Sequence, residues 1–237
     1  MEAVLVAAVL IAYNNALNRW PPFRGPLYVP ANLALSTGVL LLAGGPLGLD
    51  AESIGVGGGQ AGDLLLGAGL GAAASAPLFL ALRSKTGAEA IADRRMQGMA
   101  GRELVWRCLV RVPLGTALPE ELVFRGVLYA LMEPAGAVSA AVWSSIAFGF
   151  WHIAPTYNLL EENGQAASGR PTVVAAKVAT GVLLTGVAGL VLVWLRTLTG
   201  GLAAPFGFHA ALNSLGTVAA ALAGRRTRGS TPGSSSP

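Results

Sequence analysis

The chain has 237 residues, 53% of them hydrophobic and 12% charged, where an ordinary soluble domain carries about 25% charged residues. This composition, with a mean hydropathy of +0.59, excludes a soluble globular class, and the continuity of the apolar runs excludes a membrane β-barrel, whose short strands alternate in character. The net charge of +4, from 16 Lys+Arg against 12 Asp+Glu, does not call for nucleic acid, because basic residues gather in membrane-flanking loops for topological reasons.

In chain order, residues 3–17 form the first apolar run. No basic segment precedes it, and Arg19 and Arg24 follow it, so it reads as a retained span with its N-terminus outside rather than as a cleaved signal. It is short for a span, and Asn14, Asn15 and Asn18 crowd its end. A basic, proline-broken stretch follows, with Trp20 suited to the membrane interface. Residues 27–47 form the second span, closed by Gly44-Gly45-Pro46. The next loop holds Asp50, Glu52 and Asp63 and no Lys or Arg. Residues 64–82 form the third span, rich in the Gly and Ala that allow close helix packing in lipid.

Residues 83–111 carry seven of the 16 basic side chains, the densest such stretch, and read as a cytoplasmic loop with an interfacial helix. Cys108, the single cysteine, excludes an intrachain disulfide and a cysteine-ligated metal cluster. A helix from near Glu103 to Met132 is about 43 Å long against a hydrocarbon core of about 30 Å. Its first turns therefore lie at the interface, or it bends at Pro113 or Pro119. Residues 137–153, 172–195 and 202–222 are the fifth, sixth and seventh spans, and Arg225, Arg226, Arg228 and a Gly/Ser/Pro tail follow.

Assigning the basic loops to the cytoplasm predicts an all-α polytopic membrane protein. It has about seven transmembrane helices, N-terminus out and C-terminus in, with an active site between three helices of the C-terminal half. Arg196 stands alone on the outer side. Three regions follow: membrane helices with a basic loop over 1–100, a membrane core carrying the chemistry over 101–222, and a basic disordered tail over 223–237.

Ionisable groups at membrane depth cost several kcal/mol unless paired or hydrated. The stretch from Leu118 to Met132 nevertheless places Glu120, Glu121 and Arg125 in an apolar run, and both histidines, His152 and His209, lie in predicted spans with Asn213. Glu121 and Arg125, Phe148 and His152, and His209 and Asn213 each stand four residues apart, on one helix face. Counted from the outer helix ends, Glu120, His152, His209 and Asn213 lie about 18, 22, 14 and 20 Å deep. One membrane layer can therefore hold them all.

The chemistry that fits is hydrolysis by an activated water. Glu120 is the candidate general base, returning its proton to the leaving amine. His152 positions the water, and His209 and Asn213 orient the scissile carbonyl and stabilise the oxyanion. Glu121 and Arg125 are supporting or substrate-binding residues. Phe148 falls among these supporting positions and, with Trp151, reads as packing. Rival readings are a transporter using the buried charges as an ion path and a catalytically silent immunity or scaffold protein. The inverted repeats expected of many transporters are not visible.

Residues Glu120-Glu121-Leu122-Val123-Phe124-Arg125-Gly126 resemble the first motif of the CAAX protease and bacteriocin-processing family of intramembrane endopeptidases, which includes the type II CAAX prenyl endopeptidases. Phe148-Gly149-Phe150-Trp151-His152 resembles its second motif and His209-Ala210-Ala211-Leu212-Asn213 its third. The resemblance spans roughly residues 101–222. It implies a glutamate-dependent membrane endopeptidase with Glu120, His152, His209 and Asn213 at the catalytic positions and Glu121 and Arg125 at supporting ones. The family is often called a metalloprotease, but the soluble zinc signature His-Glu-x-x-His is absent. Two histidines and the glutamates could bind zinc, yet direct water activation needs no metal and is favoured, so no cofactor is firmly implied. The expected partners are the lipid bilayer and a membrane-anchored protein or apolar peptide substrate, with no nucleic acid and no assignable oligomeric state. The compact, Gly-rich chain suggests a bacterial member in the cytoplasmic membrane.

Overall fold

A computed structural model describes residues 2–57 and 61–229, and all regular structure among these is helical. Helices α1 (Glu2–Leu17), α2 (Pro21–Arg24) and α3 (Tyr28–Gly44) are followed by α4 (Ala61–Ala81) and α5 (Lys85–Ile91). The chain is then helical throughout 101–132. This rod contains α6 (Gly101–Trp106), α7 (Leu118–Glu120) and α8 (Tyr129–Met132), joined by π-helical turns over Arg107–Arg111, Pro113–Ala117 and Glu121–Leu128. Helices α9 (Ala137–Trp151) and α10 (Ile153–Glu162) form a second rod, interrupted at His152. Helices α11 (Pro171–Thr199) and α12 (Ala203–Gly229) complete the fold.

The wide turns have a local cause. Pro113 and Pro119 have no N–H for an i→i−4 bond, and each ring crowds the carbonyl four residues back. The ladder shifts instead to five-residue spacing: the N–H of Val112 reaches Arg107 O and that of Leu118 reaches Pro113 O. The expected bend region is therefore where the helix is wound differently.

Every residue from Pro119 to Ala130 is buried, which marks the second half of this rod as a core helix rather than a lipid-facing one. Val123, Phe124, Val127 and Leu128 pack against Ala7 of α1, Val39 and Ala43 of α3, Ala147, Phe148 and Trp151 of α9, and Leu192 of α11. Lipid tails are as apolar as these side chains, so close packing and satisfied polar groups hold the bundle rather than exclusion from water.

The expectation of about seven transmembrane helices, with the orientation built on that count, requires correction. Four helices among the described residues are long and apolar enough to cross a membrane: Ala61–Ala81, Ala137–Glu162, Pro171–Thr199 and Ala203–Thr227. Helices α1 and α3 have 16 and 17 residues. At 1.5 Å per residue they reach about 24 and 26 Å, short of a core of about 30 Å. The 101–132 rod carries Glu120, Glu121 and Arg125 within its apolar half and is broken by π turns. Hydropathy counted these three runs as spans because it registers apolar composition, which the buried half of the rod and the two short helices share with true spans. The protein is an integral membrane protein on the strength of the four long helices.

Close helix approach does occur where small residues predicted it. Gly67, Gly71 and Ser75 line the buried face of α4, and a Cβ on Gly67 or Gly71 would overlap the carbonyl oxygen of Ala204 or Phe208 on α12. Arg196, alone on its expected side, is buried: its Nη2 donates to Ser53 O at 2.6 Å, and its guanidinium lies 4.3 Å from the Tyr129 ring centroid. It ties the 50–57 loop to the central rod.

Among the polar surface contacts, Arg95 meets Asp93 at 2.6 Å and Glu162 at 3.6 Å, while Arg24 meets Glu162 at 3.2 Å. Helix α12 continues to Gly229, so the expected tail over 223–237 begins helical. Residues 230–237 of that tail lie outside the described residues.

Candidate active site

Three elements deliver the ionisable side chains of the Glu–His cluster. The central rod supplies Glu120, Glu121 and Arg125, the α9–α10 junction supplies His152, and α12 supplies His209. Glu120, Glu121, Arg125 and His209 are buried, and Arg125 is wholly inaccessible. His152 is the more open member, its side chain 18% exposed.

The site has two tiers. In the lower tier Glu121 Oε1 accepts from Arg125 Nη1 at 3.2 Å and from His209 Nδ1 at 2.7 Å. A buried arginine needs such a counter-charge, because desolvation of an unpaired charge is costly. The Arg125 guanidinium also lies 4.1 Å from the Phe148 ring centroid. In the upper tier Glu120 Oε1 accepts from Trp151 Nε1 at 3.1 Å, while Glu120 Oε2 is buried without a hydrogen-bond partner. That free oxygen faces His209 Nε2 at 3.6 Å and His152 Nε2 at 3.8 Å. These gaps exceed a direct hydrogen bond.

The ring tautomers follow from the second nitrogens. His152 Nδ1 lies 2.8 Å from Phe148 O, and a carbonyl can only accept, so Nδ1 carries the proton. His209 Nδ1 faces the Glu121 carboxylate, which fixes its Nδ1–H in the same way. Both rings therefore turn Nε2 toward Glu120 Oε2, which leaves these two nitrogens as the atoms that can meet water or substrate. Phe148 sits beside both rings, with centroids at 4.6 Å from His152 and 6.1 Å from His209.

Of the residues singled out in the sequence, Glu120, Glu121, Arg125, Phe148, His152 and His209 thus meet in one cluster. Asn213 lies one turn beyond His209 on α12, half-buried, and among the described contacts its side chain makes no hydrogen bond to the cluster. Trp151 packs in the core as expected and, in addition, donates to Glu120. A signal existed in the chain: a buried indole N–H seeks an acceptor, and carboxylates were expected at that depth.

Two imidazole nitrogens and a carboxylate oxygen have the composition of a zinc site. Among the described residues, however, no three His, Cys, Asp or Glu side chains form a group able to hold a metal ion. The side chains as they stand do not fit bound zinc.

A cavity of about 960 Å³ lies between α9–α10 and α11. Its wall includes Ile146, Phe150, Val178, Val182 and Leu190 and no carboxylate, histidine or basic side chain. None of the side chains of the polar cluster lines it.

Residues 102–215 match the family described as type II CAAX prenyl endopeptidase Rce1-like. The matched segment contains Glu120, Glu121, Arg125, His152, His209 and Asn213, and supports assignment to the CAAX protease and bacteriocin-processing family. No curated protein and no solved structure matches the chain. The buried Glu–His cluster within the matched segment is consistent with a CAAX-protease-like site.

Proposed function

We propose that this chain, whose residues 102–215 fall in the CAAX protease and bacteriocin-processing family, is a glutamate-dependent intramembrane endopeptidase. It hydrolyses a peptide bond of a membrane-anchored protein or apolar peptide, in a bacterial cytoplasmic membrane, through the core over 101–222. The observation that carries the reading is Glu120 Oε2, a buried and unpartnered acceptor faced by the Nε2 atoms of two histidines.

A water between Glu120 Oε2 and His152 Nε2 has acceptors on both sides and keeps a lone pair for the substrate. As its oxygen bonds to the scissile carbonyl carbon, Glu120 takes one of its protons and the carbonyl becomes an oxyanion. His209 can donate to that oxyanion from Nε2 as an imidazolium, its charge balanced by Glu121 on the Nδ1 side. Asn213, one turn away, is the second donor once substrate is present. The intermediate collapses with cleavage of the C–N bond, and Glu120 delivers its proton to the leaving amine. General base catalysis contributes about 10²–10⁴-fold and an oxyanion donor about 10²–10³-fold.

The test is cleavage by purified protein in liposomes. Quenched peptides, including C-terminally farnesylated ones, would be offered to wild type, Glu120→Ala and His152→Ala, with and without chelator. Loss of cleavage in both variants and persistence under chelator support the mechanism. Wild-type activity in Glu120→Ala sinks it. A biological effect that survives Glu120→Ala would identify a silent scaffold instead.

A further inference from the structure

We infer that Asn14 and Asn15 of α1, a helix outside the family-matched segment, are positioning residues that hold open the helix break presenting His152 to Glu120. This inference rests on the endopeptidase reading for its catalytic meaning.

The break is local to His152. Helix α9 ends at Trp151 and α10 begins at Ile153, with His152 at φ −90° and ψ 8°. Its N–H bonds three residues back, to Gly149 O at 3.0 Å. Pro155 has no N–H, so Trp151 O has no donor four residues on. Phe150 O still accepts a backbone N–H at the end of α9, and Ala154 N, in the first turn of α10, turns to a side chain.

The asparagines of α1 bond all three of these groups. Asn14 Nδ2 donates to Trp151 O at 2.9 Å. Asn15 Nδ2 donates to Phe150 O at 3.1 Å, and its Oδ1 accepts from Ala154 N at 2.7 Å. One side-chain amide thus bridges the last turn of α9 and the first turn of α10, across His152. The second Asn15 Nδ2 hydrogen goes to Ile11 O in its own helix, at 2.9 Å. Asn14 Oδ1 accepts from Asn18 Nδ2 at 3.0 Å, and Asn158 Nδ2 of α10 returns to Asn18 O at 2.8 Å. Asn14, Asn18 and Asn158 are all buried.

At membrane depth an unpaired carbonyl or N–H has no water to turn to. The break at His152 therefore persists only with these donors and acceptors, and without them the cheaper state closes the ladder around residue 152. Closing it rotates the imidazole relative to Phe148 O and Glu120. The polar cluster at the end of the short first helix thus has a task that composition alone does not reveal.

The test uses the full chain in nanodiscs and its two histidines. Selective ¹⁵N labelling gives two imidazole signal sets, assigned with His209→Gln. Asn15→Leu removes both bridging bonds at similar volume, and Asn15→Asp keeps only the acceptor for Ala154 N–H. The expected result is that Asn15→Leu moves the His152 ring from one Nδ1–H tautomer to an averaged mixture while His209 stays fixed. Asn15→Asp should produce a smaller change in the same direction. Cleavage of the quenched farnesylated peptide should lose about tenfold in kcat, the scale of one or two lost hydrogen bonds, with little change in KM. Pro155→Ala restores a donor to Trp151 O, so Asn14→Leu should lose most of its effect in that background.

Unchanged His152 signals in Asn15→Leu overturn the inference. So does a parallel shift of both histidines with a lowered melting temperature, which would make the asparagines general packing. Absence of peptide cleavage by wild type counts against the endopeptidase reading alone, since the His152 spectra still decide the clamp.

Discussion

Trp151→Phe is the sharpest probe of how the candidate general base is held. Trp151 is 2% exposed, and its ring stands nearly perpendicular to that of Phe124, at 83° with centroids 5.3 Å apart. Phenylalanine keeps most of this packing and deletes only the Nε1–H that reaches Glu120 Oε1 at 3.1 Å. A hydrogen bond to a charged acceptor contributes about 1.5–3 kcal/mol. At about 1.4 kcal/mol per tenfold change, losing it lowers kcat/KM by about 10- to 150-fold if the bond serves only to orient the carboxylate in the transition state. The carboxylate would then have two unpartnered oxygens and could turn away from the water. The assay is initial-rate cleavage of the quenched peptide by wild type and variant, with melting temperature measured in the same detergent. Unchanged kcat/KM in a folded variant refutes the orienting role. A fall in activity matched by a fall in folded fraction reduces Trp151 to packing.

Arg125→Met leaves the Glu121 carboxylate buried without its cation and should destabilise the fold by about 3–5 kcal/mol, read as a lower thermal midpoint. Adding Glu121→Gln should recover much of the loss, because the uncompensated charge is then gone. At the surface, Asp93 is partly buried, which pushes its carboxyl pKa up, but hydrogen bonds and charge from Arg95 outweigh this and hold it below the usual range. A folded-state pKa depressed below the unfolded value of about 3.9 contributes stability above that value and loses it as pH falls through the folded one. Asp93→Asn should therefore flatten the acid limb of a stability–pH curve while leaving its slope near neutrality unchanged.

The cluster was legible because ionisable residues are rare in this chain. Depth counting along regular helices put Glu120, His152 and His209 in one layer, and the structure brings them together within 3.8 Å. The span count was not legible, because α1, α3 and the 101–132 rod are apolar for different reasons. Residues 119–130 of the rod are interior, whereas α1 and α3 expose apolar side chains but are too short to cross, and hydropathy separates neither case from a span. Trp151 escaped because an indole reads as hydrophobic until an acceptor is placed beside it. Asn14 and Asn15 escaped for a stronger reason: their partners lie 139 and 135 to 137 residues away in sequence, and no local pattern links them.

The site is assembled where regular helix fails, and each failure is repaired by a side chain. Glu121 and Arg125 ride the π turn over Glu121–Leu128, and His152 sits at the α9–α10 break. Near Pro113 the same logic recurs. Val112 N–H goes to Arg107 O and Pro113 has no N–H, so Cys108 O has lost its usual donors, and Ser214 Oγ of α12 supplies one at 2.8 Å. Non-helical backbone is tolerated at membrane depth only when buried in protein or lining a cavity. The fold meets that condition by burying residues 119–130 on every side. An irregular helix buried this way can aim charged side chains inward at angles a regular one does not offer, and the short helices α1 and α3 enclose it. On this view the N-terminal helices are less a membrane anchor than the outer wall that makes an irregular, charged core helix sustainable.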